Sequence, residues 1–153
     1  MGNARIIRKF EWKDIAEVMR IEQESFGSDR WDEMEFMKWF ELFPEGFLVA
    51  ENEASGLAGY VICDRDGYVH SIAVRNTEQR KGIGKALICE ETGIIDADEL
   101  CLHVRISNEN AIRFYEKLGF QKTQVFSGIY PDGEDALHMK LSWKQAKLDV
   151  PQE

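Results

Sequence analysis

Residues 68–119 constrain the fold more than any other stretch of the chain. "YVHSIAV" (68–74) reads as a strand, and "EQRKGIGKAL" (78–87) follows it with a glycine-bearing turn that opens a helix. "ELCLHVR" (99–105) returns as a second strand. Leu100, Leu102 and Val104 share one face, and Cys101, His103 and Arg105 the other, because side chains alternate along a strand. A helix follows from Asn108 to Leu118, closed by Gly119. A strand, turn, helix, strand, helix run selects an α/β architecture.

The flanking segments extend that pattern. Residues 5–10 form a first strand, and 13–24 an amphipathic helix with Ile15, Val18 and Met19 on one face. Asp32 caps a second helix carrying Phe36, Met37 and Phe40. Strands at 47–51 and 57–64 precede the tight turn "RDG" (65–67), and two last strands flank "PDGED". The order β-α-α-β-β-β-α-β-α-β-β predicts an α/β domain with a mixed central sheet of about seven strands and four helices. It is expected to span residues 1–143 as one domain, with a polar tail at 144–153.

Charge narrows the function. Twenty-eight acidic residues against 19 basic ones give a net charge of −9, which argues against a nucleic-acid partner. No apolar run reaches the roughly 20 residues of a membrane span, and no apolar signal region opens the chain. Three widely spaced cysteines without a C-x-x-C predict free thiols and a cytoplasmic location. His70, His103 and His138 have no metal-ligand spacing, so no metal is expected.

Against that acidic background, Arg80, Lys81 and Lys85 concentrate positive charge around Gly82 and Gly84. Glycines let backbone N–H groups approach a phosphate, and a helix N-terminus favours negative charge. The segment is neither a dinucleotide fingerprint nor a nucleotide P-loop. Taken alone, it is equally a solvated helix start. His103 taken alone is packing, a metal ligand or a proton acceptor.

The motifs together resemble the GNAT superfamily of acyl-CoA-dependent N-acetyltransferases, over about residues 5–141. The resemblance rests on Q-x-x-G-x-G after a strand ending "IAV", then "SNENAIRFYEKLGF" one strand later. It implies acetyl-CoA as cosubstrate, inserted where the fourth and fifth strands splay apart. Gln79, Arg80, Lys81, Gly82, Gly84 and Lys85 would hold the pyrophosphate, and the backbone at Ile72 and Val74 would pair with the pantetheine arm. Asn108, Ala111 and Tyr115 would form the second cofactor-contacting segment.

"LHVRISNENAIRFYEKLGF" looks most like catalytic subunits of N-terminal protein acetyltransferases, closest to the branch acting on methionine-initiated N-termini. Bacterial ribosomal-protein N-acetyltransferases match well otherwise but usually have glutamate at the position of His103. The resemblance implies that His103 and Tyr68 hold a water that takes the amine's proton, and that Tyr115 protonates the departing CoA thiolate. Tyr130, in "IYPDGEDALHM", would bind the substrate's N-terminal backbone beside Phe26. Glu24 matches a functional glutamate of another branch and is the alternative base. His70 and His138 read as structural. The loop "ESFGSDRW" replaces a proline-bearing loop of the closest branches, so a preference for the first residue does not carry over.

The resulting expectation is transfer of acetyl to the α-amine of protein or peptide N-termini by direct attack. Lysine side chains or small-molecule amines are the second acceptor class, and a non-catalytic acyl-CoA-binding module is the alternative of another class. The chain is expected to act as a monomer or weak homodimer, with an auxiliary subunit left open.

Overall fold

A computed structural model describes residues 5–27, 30–52, 56–79, 81–95 and 97–142. Arg80 and the tail 144–153 lie outside them. The chain divides into two compact units, residues 1–65 with 69–95 and residues 66–68 with 96–153.

In the first unit, β1 (Arg5–Lys9), β2 (Phe47–Asn52), β3 (Gly56–Cys63) and β4 (Val69–Val74) form an antiparallel sheet in the order β1-β2-β3-β4. Both faces are covered, so β3 is buried from Leu57 to Cys63. On one face, Phe47, Val49, Tyr60, Ile62 and Ala73 pack with Val18 and Ile21 of α1 (Ile15–Phe26) and Phe36 of α2 (Glu33–Leu42). Alternation sends Leu48, Val61 and Ile72 to the other face, where α3 (Ile83–Thr92) lies against the sheet. A Cβ on Gly59 would sit 2.8 Å from the Ala73 carbonyl oxygen and 3.4 Å from Ile83.

Asp32 caps α2 as expected, its side chain accepting the Glu35 N–H. Met37, next to the buried Phe36, is 42% exposed. One residue is a 100° step around a helix, and Trp39 and Phe40 pack beside Phe36.

In the second unit, β5 (Glu99–Arg105), β6 (Gln121–Phe126) and β7 (Ala136–Ser142) pair antiparallel in the order β5-β7-β6, with α4 (Glu109–Leu118) between β5 and β6 in the chain. The seven strands and four helices are those read from the sequence, and they pair as two sheets, with β4 at one edge of the first and β5 at one edge of the second. Tyr68 belongs to the second unit and makes a single parallel bridge with Cys101.

Candidate active site

The glycine-bearing turn follows β4 in the first unit. Gly82 caps α3 with φ 77°, a left-handed conformation that favours glycine, and a Cβ there would meet nothing within 4 Å. Conformation rather than crowding therefore selects the glycine. The first turn of α3 has no side-chain cap and no acidic residue. Its N–H groups and the positive end of the helix dipole suit a phosphate. Lys85 is exposed on that turn.

The rest of the turn is braced from within. Buried Glu78 accepts from Asn52 Nδ2 at 2.7 Å and pairs with Lys81 Nζ at 2.8 Å. Lys81 is thus partly neutralised by its pairing with Glu78. Gln79 Nε2 donates to the Val74 carbonyl at 3.3 Å and so ties the turn to β4. Ile72 and Val74 pair with Val61 and Gly59 of β3. As β4 is an edge strand, only one side of its backbone is engaged by the sheet.

In the second unit, the Gly67 carbonyl accepts the Cys101 N–H at 2.9 Å, and the Tyr68–Cys101 bridge follows. Gly67 has φ 94°, and a Cβ there would lie 2.3 Å from the Glu99 carbonyl oxygen, so only glycine fits. This contact brings the Tyr68 hydroxyl into a hydrogen bond with His103 Nδ1. The pair meets directly, so a water serving both groups would sit beside that bond rather than within it. His103 packs against Phe126 and His138, with ring centroids 5.1 Å and 4.9 Å away. Burial, and then the charge of His138, hold the His103 imidazole below its usual pKa of 6.5. His138, read from sequence as packing alone, is thus brought to the proton-accepting candidate.

Asn108 caps α4, its side-chain oxygen accepting the Ala111 N–H at 3.1 Å. The capping duty expected of Asn108 is therefore present. Tyr115 is buried, with its ring against Phe114 and Phe120.

Tyr130 sits in the β6–β7 loop under the guanidinium of Arg105, 4.2 Å from the ring centroid. Arg105 also bonds Asp132 at 2.8 Å and Glu134 at 2.9 Å, and Glu134 accepts the Ser107 N–H at 2.9 Å. The Glu134 N–H and then Arg105 hold the Asp132 carboxyl below its usual range, and Ser107 and then Arg105 do the same for Glu134. Sequence reasoning passed over Arg105. Its signal was the position two residues after His103, on the same strand face.

The acceptor candidates of the first unit, Glu24 and Phe26, both stand on α1. Glu24 is exposed and accepts the Asn76 N–H at 3.1 Å, while Phe26 packs against the core. The buried acid is Glu22, which accepts from the Trp31 N–H at 2.8 Å, the Tyr60 hydroxyl and Ser71 Oγ at 3.3 Å. Burial pushes its pKa up against those bonds. Glu22 stands four residues after Val18, inside the apolar stripe of α1, and that placement was the available signal. His70 pairs with Asp64 at 2.8 Å and stacks on Trp39, as a structural histidine would. Cys63, Cys89 and Cys101 form no disulfide among the described residues. Among the described residues, no group of three His, Cys, Asp or Glu side chains could hold a metal.

Known proteins agree with this arrangement. An uncharacterized N-acetyltransferase of Methanocaldococcus jannaschii is 33% identical over 149 residues, covering 93% of this chain and 94% of its own length. An N-alpha-acetyltransferase of Sulfurisphaera tokodaii is 30% identical over 157 residues, covering 90% of this chain and 93% of its own. Among solved structures, Ard1 from Thermoplasma volcanium has a TM-score of 0.79 at 29% identity, over 91% of this chain and 97% of that one. Residues 12–120 match the acetyltransferase (GNAT) family itself. The chain therefore belongs to the GNAT family of acyltransferases, which draw their acetyl group from acetyl-CoA.

Proposed function

We propose that this chain acetylates the α-amine of protein and peptide N-termini by direct transfer, without a covalent enzyme intermediate. The observation that carries this reading is the hydrogen bond between the Tyr68 hydroxyl and His103 Nδ1. An α-amine has a pKa near 8 and is mostly protonated at neutral pH, so it must lose a proton before it can attack. A phenol bonded to a neutral imidazole can pass that proton on, directly or through a water. Tyr68 takes it from the amine side and His103 Nδ1 receives it.

Acetyl-CoA supplies the acetyl group as a thioester. The first unit's turn, with Gln79, Arg80, Lys81, Gly82, Gly84 and Lys85, takes its pyrophosphate, and the β4 backbone at Ile72 and Val74 takes the pantetheine arm. Asn108 and Ala111 support the second cofactor segment. Tyr115 gives its phenol proton to the departing thiolate and is restored by the second proton that the amine nitrogen loses as the amide forms, while the first proton, taken up at His103, leaves to solvent. Tyr130, held by Arg105, binds the acceptor's N-terminal backbone, and Phe26 and Glu24 lie on the acceptor side. The S. tokodaii relative, named an N-alpha-acetyltransferase, supports the same acceptor class.

The test is CoA release by purified protein with acetyl-CoA across a library of free N-terminal peptides, alongside lysine peptides with blocked N-termini. Release with free N-termini alone is expected. Release with blocked lysine peptides alone would transfer the assignment to side-chain amines. Tight CoA binding with no turnover on any acceptor would make the chain a binding module.

A further inference from the structure

We propose that His138 is a positioning residue that keeps His103 unprotonated and therefore ready to take the proton of the incoming amine. The inference rests on the reading above, in which His103 is the acceptor.

The geometry is specific. His103 and His138 are directly opposed across the β5–β7 pair, and their rings meet at 4.9 Å with an interplanar angle of 62°. His138 is 8% exposed, so its ring has little freedom to turn away. Thr123 of β6 pins it twice: the hydroxyl donates to the His138 carbonyl at 3.0 Å, and Oγ1 lies 2.6 Å from Nδ1. A hydroxyl has one proton. With that proton on the carbonyl, Oγ1 must accept from Nδ1–H, which fixes the tautomer of His138.

The surrounding charges leave the histidine pair dominant. His103 faces the Tyr68 hydroxyl, the Phe126 ring and His138. Cys101 and Arg105 share its strand face, and Arg105 is committed to Asp132, Glu134 and the Tyr130 ring. His138 is acted on by Lys140 of its own strand and by Glu99 of β5, which pair with each other at 3.4 Å and oppose each other's effect. Burial, then Lys140, hold His138 below its usual pKa, with Glu99 opposing. Two imidazoles in ring contact resist holding a proton each, so they titrate as a coupled pair. A proton on His138 therefore drives His103 toward the neutral form.

The test follows each imidazole by NMR titration of the full chain, together with kcat/KM against pH. In the unmodified chain, each ring's curve should show two steps, one at its own midpoint and one at its neighbour's. His138→Asn keeps a partner for Thr123 without the charge, and His138→Phe keeps a ring against His103. In either variant that folds, the His103 midpoint should rise by on the order of one pH unit, and the acid limb of kcat/KM should move with it. Independent one-step curves, or a His103 midpoint unmoved in the folded variants, overturn the inference. A midpoint that moves while the acid limb stays in place removes His103 as proton acceptor and overturns this inference, whereas the acceptor class falls only if CoA release with free N-terminal peptides is absent.

Discussion

The carboxylate of Glu22 accepts the backbone N–H of Trp31 at 2.8 Å. The same carboxylate takes hydroxyls from Tyr60 of β3 and Ser71 of β4. One buried acid therefore fastens the connection between α1 and α2 to the sheet beneath it.

Removing that acid should separate stability from binding. Glu22→Ala removes the acceptor of the Trp31 amide and of the Tyr60 and Ser71 hydroxyls, which keep only each other's contact at 2.8 Å among these bonds, and should cost roughly 3 kcal/mol in a urea melt. Glu22→Gln keeps the shape and should cost about 1 kcal/mol. On the proposed reading, in which Glu24 and Phe26 of the same helix serve the acceptor, the peptide KM of Glu22→Gln should rise several-fold while the acetyl-CoA KM stays constant.

Tyr68→Phe deletes the hydroxyl that His103 accepts and leaves the ring in place. The kcat should fall about 100-fold. His103 is held below 6.5 by burial and His138, and only its neutral form accepts a proton. Activity of the unmodified enzyme should therefore be lost as pH falls through a midpoint below 6.5. His103→Ala should abolish that acid limb in a kcat/KM profile.

Glu91, near the end of α3, is fully buried, and neither carboxylate oxygen has a hydrogen-bond partner among the described residues. Burial, and then the charge of Glu45, push its pKa up to about 9. Between the ordinary 4.5 and about 9, the folded chain holds a proton that the unfolded chain releases. Stability is therefore full below the lower value and declines as pH rises toward the upper one, by on the order of several kcal/mol. Glu91→Gln should flatten that decline in urea melts at pH 5, 7 and 9.

At the other end of α3, Lys85→Glu places a negative charge on an uncapped first turn that has no acid of its own. The acetyl-CoA KM should rise about tenfold, in line with a dipole and charge effect of 1–2 kcal/mol. Gly82→Ala should fold, since its Cβ meets nothing, and lose about 1 kcal/mol to the left-handed backbone. Isothermal titration with CoA and a thermal melt distinguish the two effects.

Element order was legible because Ile15, Val18, Phe36 and the alternating residues of 99–105 carry plain helix and strand periods. Gly82 and Asn108 were legible as caps for the same local reason. The partition into two sheets was not, because strand pairing is set by tertiary packing and not by any one strand's pattern. Tyr68 and His103 were found through a family motif, and their hydrogen bond fits that motif. His138, Arg105 and Glu22 escaped because their partners lie across strands or on other elements. His138 meets His103 35 residues later in the chain, and a sequence pattern records no such distance. Glu24 drew notice over Glu22 because a charged residue in an apolar stripe looks, in one dimension, like any other helix glutamate.

The main chain at residue 67 decides where the Tyr68 hydroxyl points. The Gly67 carbonyl takes the Cys101 amide, and the Glu99 carbonyl fills the space a side chain would need. That seam is built from main-chain groups at 67, 99 and 101. A substitution at 67 would misdirect the phenol while leaving both proton-handling residues intact. Anyone transplanting the Tyr68–His103 hydrogen bond onto another scaffold must therefore graft the glycine first and the tyrosine second.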